Sequence, residues 1–174
     1  MLTHTPPTLL PTGTYTIDPA ESEVAFSVRH LGVATVKGRF GTFEGELTID
    51  ADGHVTATGG VLAASVESGN GIRDRRLRDE FFQTHDHPVI AFAADATPEP
   101  ADKRGRLHLD ARLTIRGTTR PVELELRVHD DRIEATGEIS QSDFGLEWDA
   151  LREAGKLLVS DRVKLAVDAK LRPR

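Results

Sequence analysis

The stretch RLHLDARLTIRGTTRPVELELRVH, residues 106–129, decides the fold. Leu107, Leu109, Ala111, Leu113 and Ile115 alternate with His108, Asp110, Arg112, Thr114 and Arg116. After a turn at Gly117-Thr118-Thr119 the same period returns, with Val122, Leu124, Leu126 and Val128 set between Glu123, Glu125, Arg127 and His129. A period of two puts alternate side chains on opposite faces of an extended chain, so each half reads as a strand with one apolar and one wet face. Two such strands joined by a short turn form an antiparallel hairpin.

Working outward, a tight turn at Asp130-Asp131 leads to Ile133, Ala135, Gly137 and Ile139, and a last strand carries Val163, Leu165, Val167, Ala169 and Leu171. Upstream, Val24, Phe26, Val28 and His30 share one face of a strand that begins near Glu23. From Thr35 to Asp50 the phase changes, because Phe40 has the opposite parity to Phe43, Gly45, Leu47 and Ile49. One inserted residue flips every later side chain, which predicts a bulge or glycine kink near Gly41. Ala51-Asp52-Gly53 is a hairpin turn signal, and residues 54–67 and 89–96 read as two further strands. Residues 68–87, SGNGIRDRRLRDEFFQTHDH, lack alternation and are rich in charge. They predict a short helix capped by Asn70, with Ile72, Leu77, Phe81 and Phe82 as its apolar contacts. A second helical turn is expected near residues 149–154.

About eight strands must either stack as two sheets or close on themselves. Residues 106–116 would run roughly 36 Å at ~3.3 Å per residue, or nearer ~27 Å along a barrel axis after a ~40° tilt. That is long for a sandwich. The expectation is an all-β fold, an elongated eight-stranded antiparallel barrel with a short helical segment over it. A barrel of that size is just wide enough for one slender ligand. Val55, Ala57, Gly59, Val61 and Ala63 keep one face small, which leaves room inside.

The 174 residues suit one domain and suffice for a core without staples. Residues 1–12 contain Pro6, Pro7 and Pro11 and show no period, so they are expected to be a disordered tail before a barrel domain over residues 13–174. The tail has no Lys or Arg and only the apolar pair Leu9-Leu10, unlike a secretory signal, and a cytoplasmic location is expected. There is no cysteine, which excludes disulfides, Cys-based zinc sites and a thiol nucleophile. A net charge of -6 with interleaved signs offers no phosphate-binding patch, so no nucleic-acid partner is expected. No apolar run approaches the ~20 residues of a membrane-spanning helix.

Candidate chemistry is sparse. His85 and His87 have a spacing used by metal ligands on strands, but no third ligand is evident and Pro88 suggests a polar loop, so no metal is expected. Arg73, Arg75, Arg76 and Arg78 suit a phosphate head. Asp74, Asp79 and Glu80 interleave with them, however, and a solvated helix face laced with i,i+4 pairs explains them better. His30 shares the inward parity of its strand and reads either as a satisfied core histidine or as a polar contact to a ligand. No G-x-S-x-G, H-E-x-x-H or P-loop pattern occurs. No catalytic residue is expected, and the chain does not read as an enzyme.

Four segments together resemble the YceI family of polyisoprenoid-binding, lipocalin-like proteins: residues 15–50 (YTIDPAESEVAFSVRHLGVATVKGRFGTFEGELTID), 68–92 (SGNGIRDRRLRDEFFQTHDHPVIAF), 113–124 (LTIRGTTRPVEL) and 143–148 (DFGLEW). The resemblance implies a barrel whose interior holds a long polyisoprenoid or similar amphiphilic lipid without any cofactor, and a homodimer is compatible with it. The family commonly carries His where this chain has Glu21 and Arg76, and many members are exported. On this reading the ligand-binding residues are Phe26, Val28, His30, Phe40, Phe81, Phe82, Phe92, Leu113, Ile115, Phe144 and Trp148. Two alternatives stand beside the carrier. One is a lipid-modifying hydrolase or isomerase using His30 in the same cavity, and the other is a filled barrel acting as an interaction module.

Overall fold

The computed structural model describes residues 10–30, 34–100, 102–146 and 159–174. The hairpin of residues 106–129 consists of β9 (Leu107–Ile115) and β10 (Thr118–His129). Its turn is tighter than the sequence suggested. Ile115 pairs directly with Thr118, and both intervening residues take positive φ, 49° at Arg116 and 76° at Gly117. That is the geometry whose twist matches two antiparallel strands. β11 (Arg132–Ser140) follows by a second hairpin, and β12 (Val159–Pro173) pairs along β11.

Before these come β1 (Gly13–Ile17), β2 (Glu23–His30), β3 (Ala34–Phe40), β4 (Phe43–Ile49), β5 (Val55–Leu62), β6 (Val66–Glu67), β7 (Val89–Ala96) and the two-residue β8 (Glu99–Pro100). Neighbours run β1-β4-β5-β7-β9-β10-β11-β12, and β12 then pairs back onto β1. β12 also pairs with β2, which pairs with β3. β1 and β2 are one stave interrupted by a 3-10 turn at Pro19–Glu21, and β3 and β4 are one stave bent at Gly41-Thr42. The result is a closed, eight-staved antiparallel barrel.

The phase change at Gly41 is the expected kink, in the form of a corner rather than a bulge. There the chain stops pairing with β2 and begins pairing with β1 and β5. The Gly41 amide donates to the Ser65 carbonyl at 3.1 Å, and the Leu62 amide donates to the Thr42 carbonyl at 2.9 Å. The two-residue break absorbs the flip, so Phe40 and Phe43 both end on the inner wall. Residues 54–67 are likewise not one strand. Ala63, fully buried, starts a 3-10 turn that carries the chain from β5 across to β3, where β6 pairs with Arg39 and Phe40.

The predicted helix is α1 (Gly71–Arg76), and the Asn70 side chain accepts from the Arg73 amide at 3.0 Å. One wider π-helical turn, Leu77–Phe81, continues it. Leu77 and Phe82 are buried, whereas Ile72 is 76% exposed and is not an apolar contact. The helix is too short to turn every apolar residue inward. The second helical turn, expected near 149–154, lies outside the described residues. At the other end the chain is packed already from Leu10, which is buried, and the Tyr15 hydroxyl donates to the Pro11 carbonyl at 2.6 Å.

Candidate ligand-binding cavity

The inward rows of the staves do not meet across the barrel. They surround a cavity of about 280 Å³, near the lower end of the ~300–1,000 Å³ usual for ligand pockets. Val24, Phe26 and Val28 of β2 line it, with Phe92 of β7, Leu113 and Ile115 of β9, and Leu165 and Val167 of β12. Leu77, Phe81 and Phe82 close it from the helical segment. That segment covers the end where β9 finishes and β10 begins, because Arg116 donates to the Phe81 carbonyl at 3.3 Å.

Glycines make the room. Gly45 pairs with Gly59, and Gly59 pairs with Phe92 on its other side. Gly38 lies opposite Phe26, and a Cβ there would sit 2.3 Å from the tip of the Phe26 ring. The ring thus occupies the place of the missing side chain. Phe26 and Phe40 stand 5.6 Å apart between ring centroids, Phe40 and Phe82 5.9 Å, and Phe81 and Phe82 4.9 Å. This chain of rings connects the wall to the cover through tilted and edge-on contacts, the arrangement aromatic pairs favour.

Of the residues expected to bind a ligand, Phe26, Val28, Phe40, Phe81, Phe82, Phe92, Leu113 and Ile115 are brought together on the cavity wall. Phe144 is not. It is buried, but it sits at the end of the 3-10 turn Gln141–Phe144, off the period of β11, and packs in the core away from the lining. Trp148 and the side chain of His30 lie outside the described residues; the His30 backbone pairs with Ala34 and Val159. One lining residue that the sequence reading passed over is Gln141. It continues the inward row Ile133, Ala135, Gly137, Ile139 by one more step, so parity alone would have found it.

Among the described residues the lining holds no Lys, Arg or His. Glu44 and Glu46 border the cavity from the outward parity of β4, and Glu46 pairs with Arg174 at 2.6 Å. The arginines of the helical segment serve elsewhere. Arg73 donates to the Ser68 hydroxyl and carbonyl, each at 2.8 Å, and Asp74 accepts from the same hydroxyl. Arg75 and Arg76 are exposed. The expected i,i+4 ion pairs along this face do not form among the described residues, and Asp74 accepts from the Ser68 amide and hydroxyl instead. Glu21, where the family commonly has His, lies at the opposite end and pairs with Lys170 at 3.2 Å.

His85 and His87 lie in a turn and share no metal-ligand cluster among the described residues. One such cluster exists on the outer face, where ligand atoms of His108, Asp110 and Glu123 fall within 4.8 Å of one another. All three are solvated, and His108 is already bonded to Asp110 at 3.0 Å. That bond holds the imidazole above its ordinary pKa, against a smaller opposing effect of desolvation.

A model of the YceI-like domain matches residues 15–171. A UPF0312 protein of Shewanella denitrificans is 32% identical over 161 residues, covering 82% of each chain. Protein YceI of Escherichia coli O157:H7 is 30% identical over 141 residues, covering 72% of this chain and 71% of its own. Among solved structures, BcnA of Burkholderia cenocepacia superposes with a TM-score of 0.72 at 19% identity, covering 90% of this chain and 99% of that one. A polyisoprenoid-binding domain from Saccharophagus degradans superposes with a TM-score of 0.70 at 20% identity, covering 92% and 98%. With a family model spanning nearly all of the barrel, and relatives of this identity over most of its length, the chain belongs to the YceI-like domain family.

Proposed function

We propose that this barrel binds a long-chain polyisoprenoid or similar amphiphilic lipid in its lumen and carries or sequesters it. The observation that supports this most directly is the cavity, whose inward rows, Gln141 apart, are hydrocarbon from Ile17 and Leu171 at one end to Phe81 and Phe82 at the other. Removing an aliphatic chain from water is worth ~0.8 kcal/mol per CH₂, so such a wall can hold a long ligand with few polar contacts. Selectivity then resides in length and width, in keeping with a sequence that shows no sharp motif. The similarity to a domain that binds polyisoprenoids adds to this reading. An interior without a cavity would favour an interaction module, and the lumen supports the carrier reading over it.

The test is native mass spectrometry of protein purified without detergent, followed by titration with a fluorescent prenol. Stoichiometric co-purified lipid, or saturable binding of the prenol, is the expected result. No bound lipid together with no saturable binding would overturn the proposal.

A further inference from the structure

The geometry points to an uncharged ligand head that hydrogen-bonds to Gln141, an inference that rests on the lipid-binding reading above. Gln141 is 6% exposed and is the one buried polar residue among those described. It lies on the cavity wall at the covered end, where β11 finishes and the 3-10 turn begins. Its Nε2 donates to the Ser160 carbonyl at 3.0 Å, which fixes which end of the carboxamide is oxygen. The oxygen and the second N–H have no partner among the described residues. The oxygen keeps some accessible surface, so it stands as an acceptor open to a donor from the lumen that Gln141 lines. Here the oxygen belongs to a side chain that faces an otherwise apolar cavity.

The same wall argues against an anionic head. Among the described residues no Lys, Arg or His lines the cavity. The nearby guanidinium of Arg73 is committed to Ser68, and that of Arg116 donates to the Phe81 carbonyl. A phosphate drawn into this lumen would be desolvated with no counter-charge from the described residues, a heavy penalty. A hydroxyl fits both free functions of the amide, since it donates to the Gln141 oxygen and accepts from the N–H. The ligand class is therefore a long apolar chain ending in an alcohol, with the head beneath Leu77 and Phe81 and the tail running toward Gly45 and Gly59.

The experiment compares three C20 probes that share one branched skeleton: geranylgeraniol, geranylgeranyl monophosphate and the saturated hydrocarbon phytane. Each displaces a fluorescent apolar reporter from the purified full chain and from the Gln141→Leu variant. The unmodified protein should bind the alcohol roughly three- to tenfold more tightly than the hydrocarbon, the usual worth of one neutral hydrogen bond, and the phosphate most weakly. Gln141→Leu should erase the alcohol's advantage and leave hydrocarbon binding unchanged. A phosphate bound more tightly than the alcohol, or an alcohol preference that survives Gln141→Leu, overturns the inference. Should the variant not fold, the ranking on the unmodified protein decides alone, and a hydrocarbon bound as well as the alcohol overturns it. That result leaves the lipid-binding reading intact, whereas failure of all three probes removes both.

Discussion

Gly38 shows how a single absent side chain shapes the lumen. A Cβ there would come within 2.3 Å of the Phe26 ring tip, so Gly38→Val should push the ring toward the cavity. Overpacking of this kind costs about 1–3 kcal/mol, and binding of a fluorescent prenol should weaken with it. A urea melt and a titration check both, and unchanged binding would mean that the ring does not wall the ligand space. Val28 and Ile115, 3% and 4% exposed, test the lumen from the other direction. If it is open, Val28→Trp and Ile115→Trp should block the prenol while the melting temperature stays near that of the parent, since the empty space takes up the added volume. A loss of stability like that expected at Gly38 would instead indicate a packed interior. On the outer face, His108 should titrate above the ordinary histidine range because of Asp110. Its stabilising pairing is fully present below the ordinary histidine pKa and is lost as pH rises through the raised folded value. NMR titration of His108 should show the high midpoint, and Asp110→Asn should bring it down.

Elements were legible where one face is buried and invisible where tertiary partners decide. Alternation alone gives β9, β10, β11 and the regular part of β12, because a half-buried strand must alternate. It could not show that residues 54–67 split into β5 and β6, since both parts are extended and the 3-10 turn Ala63–Ser65 between them accompanies a change of partner from β7 to β3. Phe144 was expected at the cavity only through the resemblance carried by residues 143–148, and the 3-10 turn Gln141–Phe144 sets it in the core off the lining instead. Gln141 was legible by parity, but an amide does not look like core. The covering helix was legible through its cap. α1 has six residues, too few to persist alone, so the Asn70 cap, the Ser68 contacts and the buried Leu77 and Phe82 hold it. Asn70→Ala should cost about 1 kcal/mol and loosen the cover locally. Prenol release in stopped flow should then quicken more than the melting temperature falls, and an unchanged release rate would mean that the exit lies elsewhere.

At the scale of the molecule, closure depends on the seam between β12 and the first stave. Arg172 donates to Asp18 at 2.6 Å, and Asp18 also accepts from the Ala20 amide at 2.9 Å. The Arg172 bond, helped by the amide, holds the Asp18 carboxyl below its ordinary value. A depressed carboxylate stabilises the fold above its unfolded pKa and loses that contribution as pH falls through the folded one. Asp18→Asn should therefore be less stable than the parent at neutral pH, with the gap narrowing once the pH falls below the ordinary Asp value. Urea melts on either side of that value decide this, and a gap independent of pH would remove Asp18 from the seam's acid response.

The seam also sets the order in which the molecule can come into being. The Lys170 amide donates to the Ser22 hydroxyl across 148 positions of sequence, and Arg172 reaches Asp18 across 154. Contacts this remote make folding slow, because the loop must close before any of them gains. On the ribosome, the β9, β10 and β11 hairpins can form as they emerge, while β1 and β2 wait with bare edges for β12. A nascent chain halted before residue 159 is an open sheet with an oily face, the kind of surface that chaperones cover. The vessel exists only once its last stave has been translated.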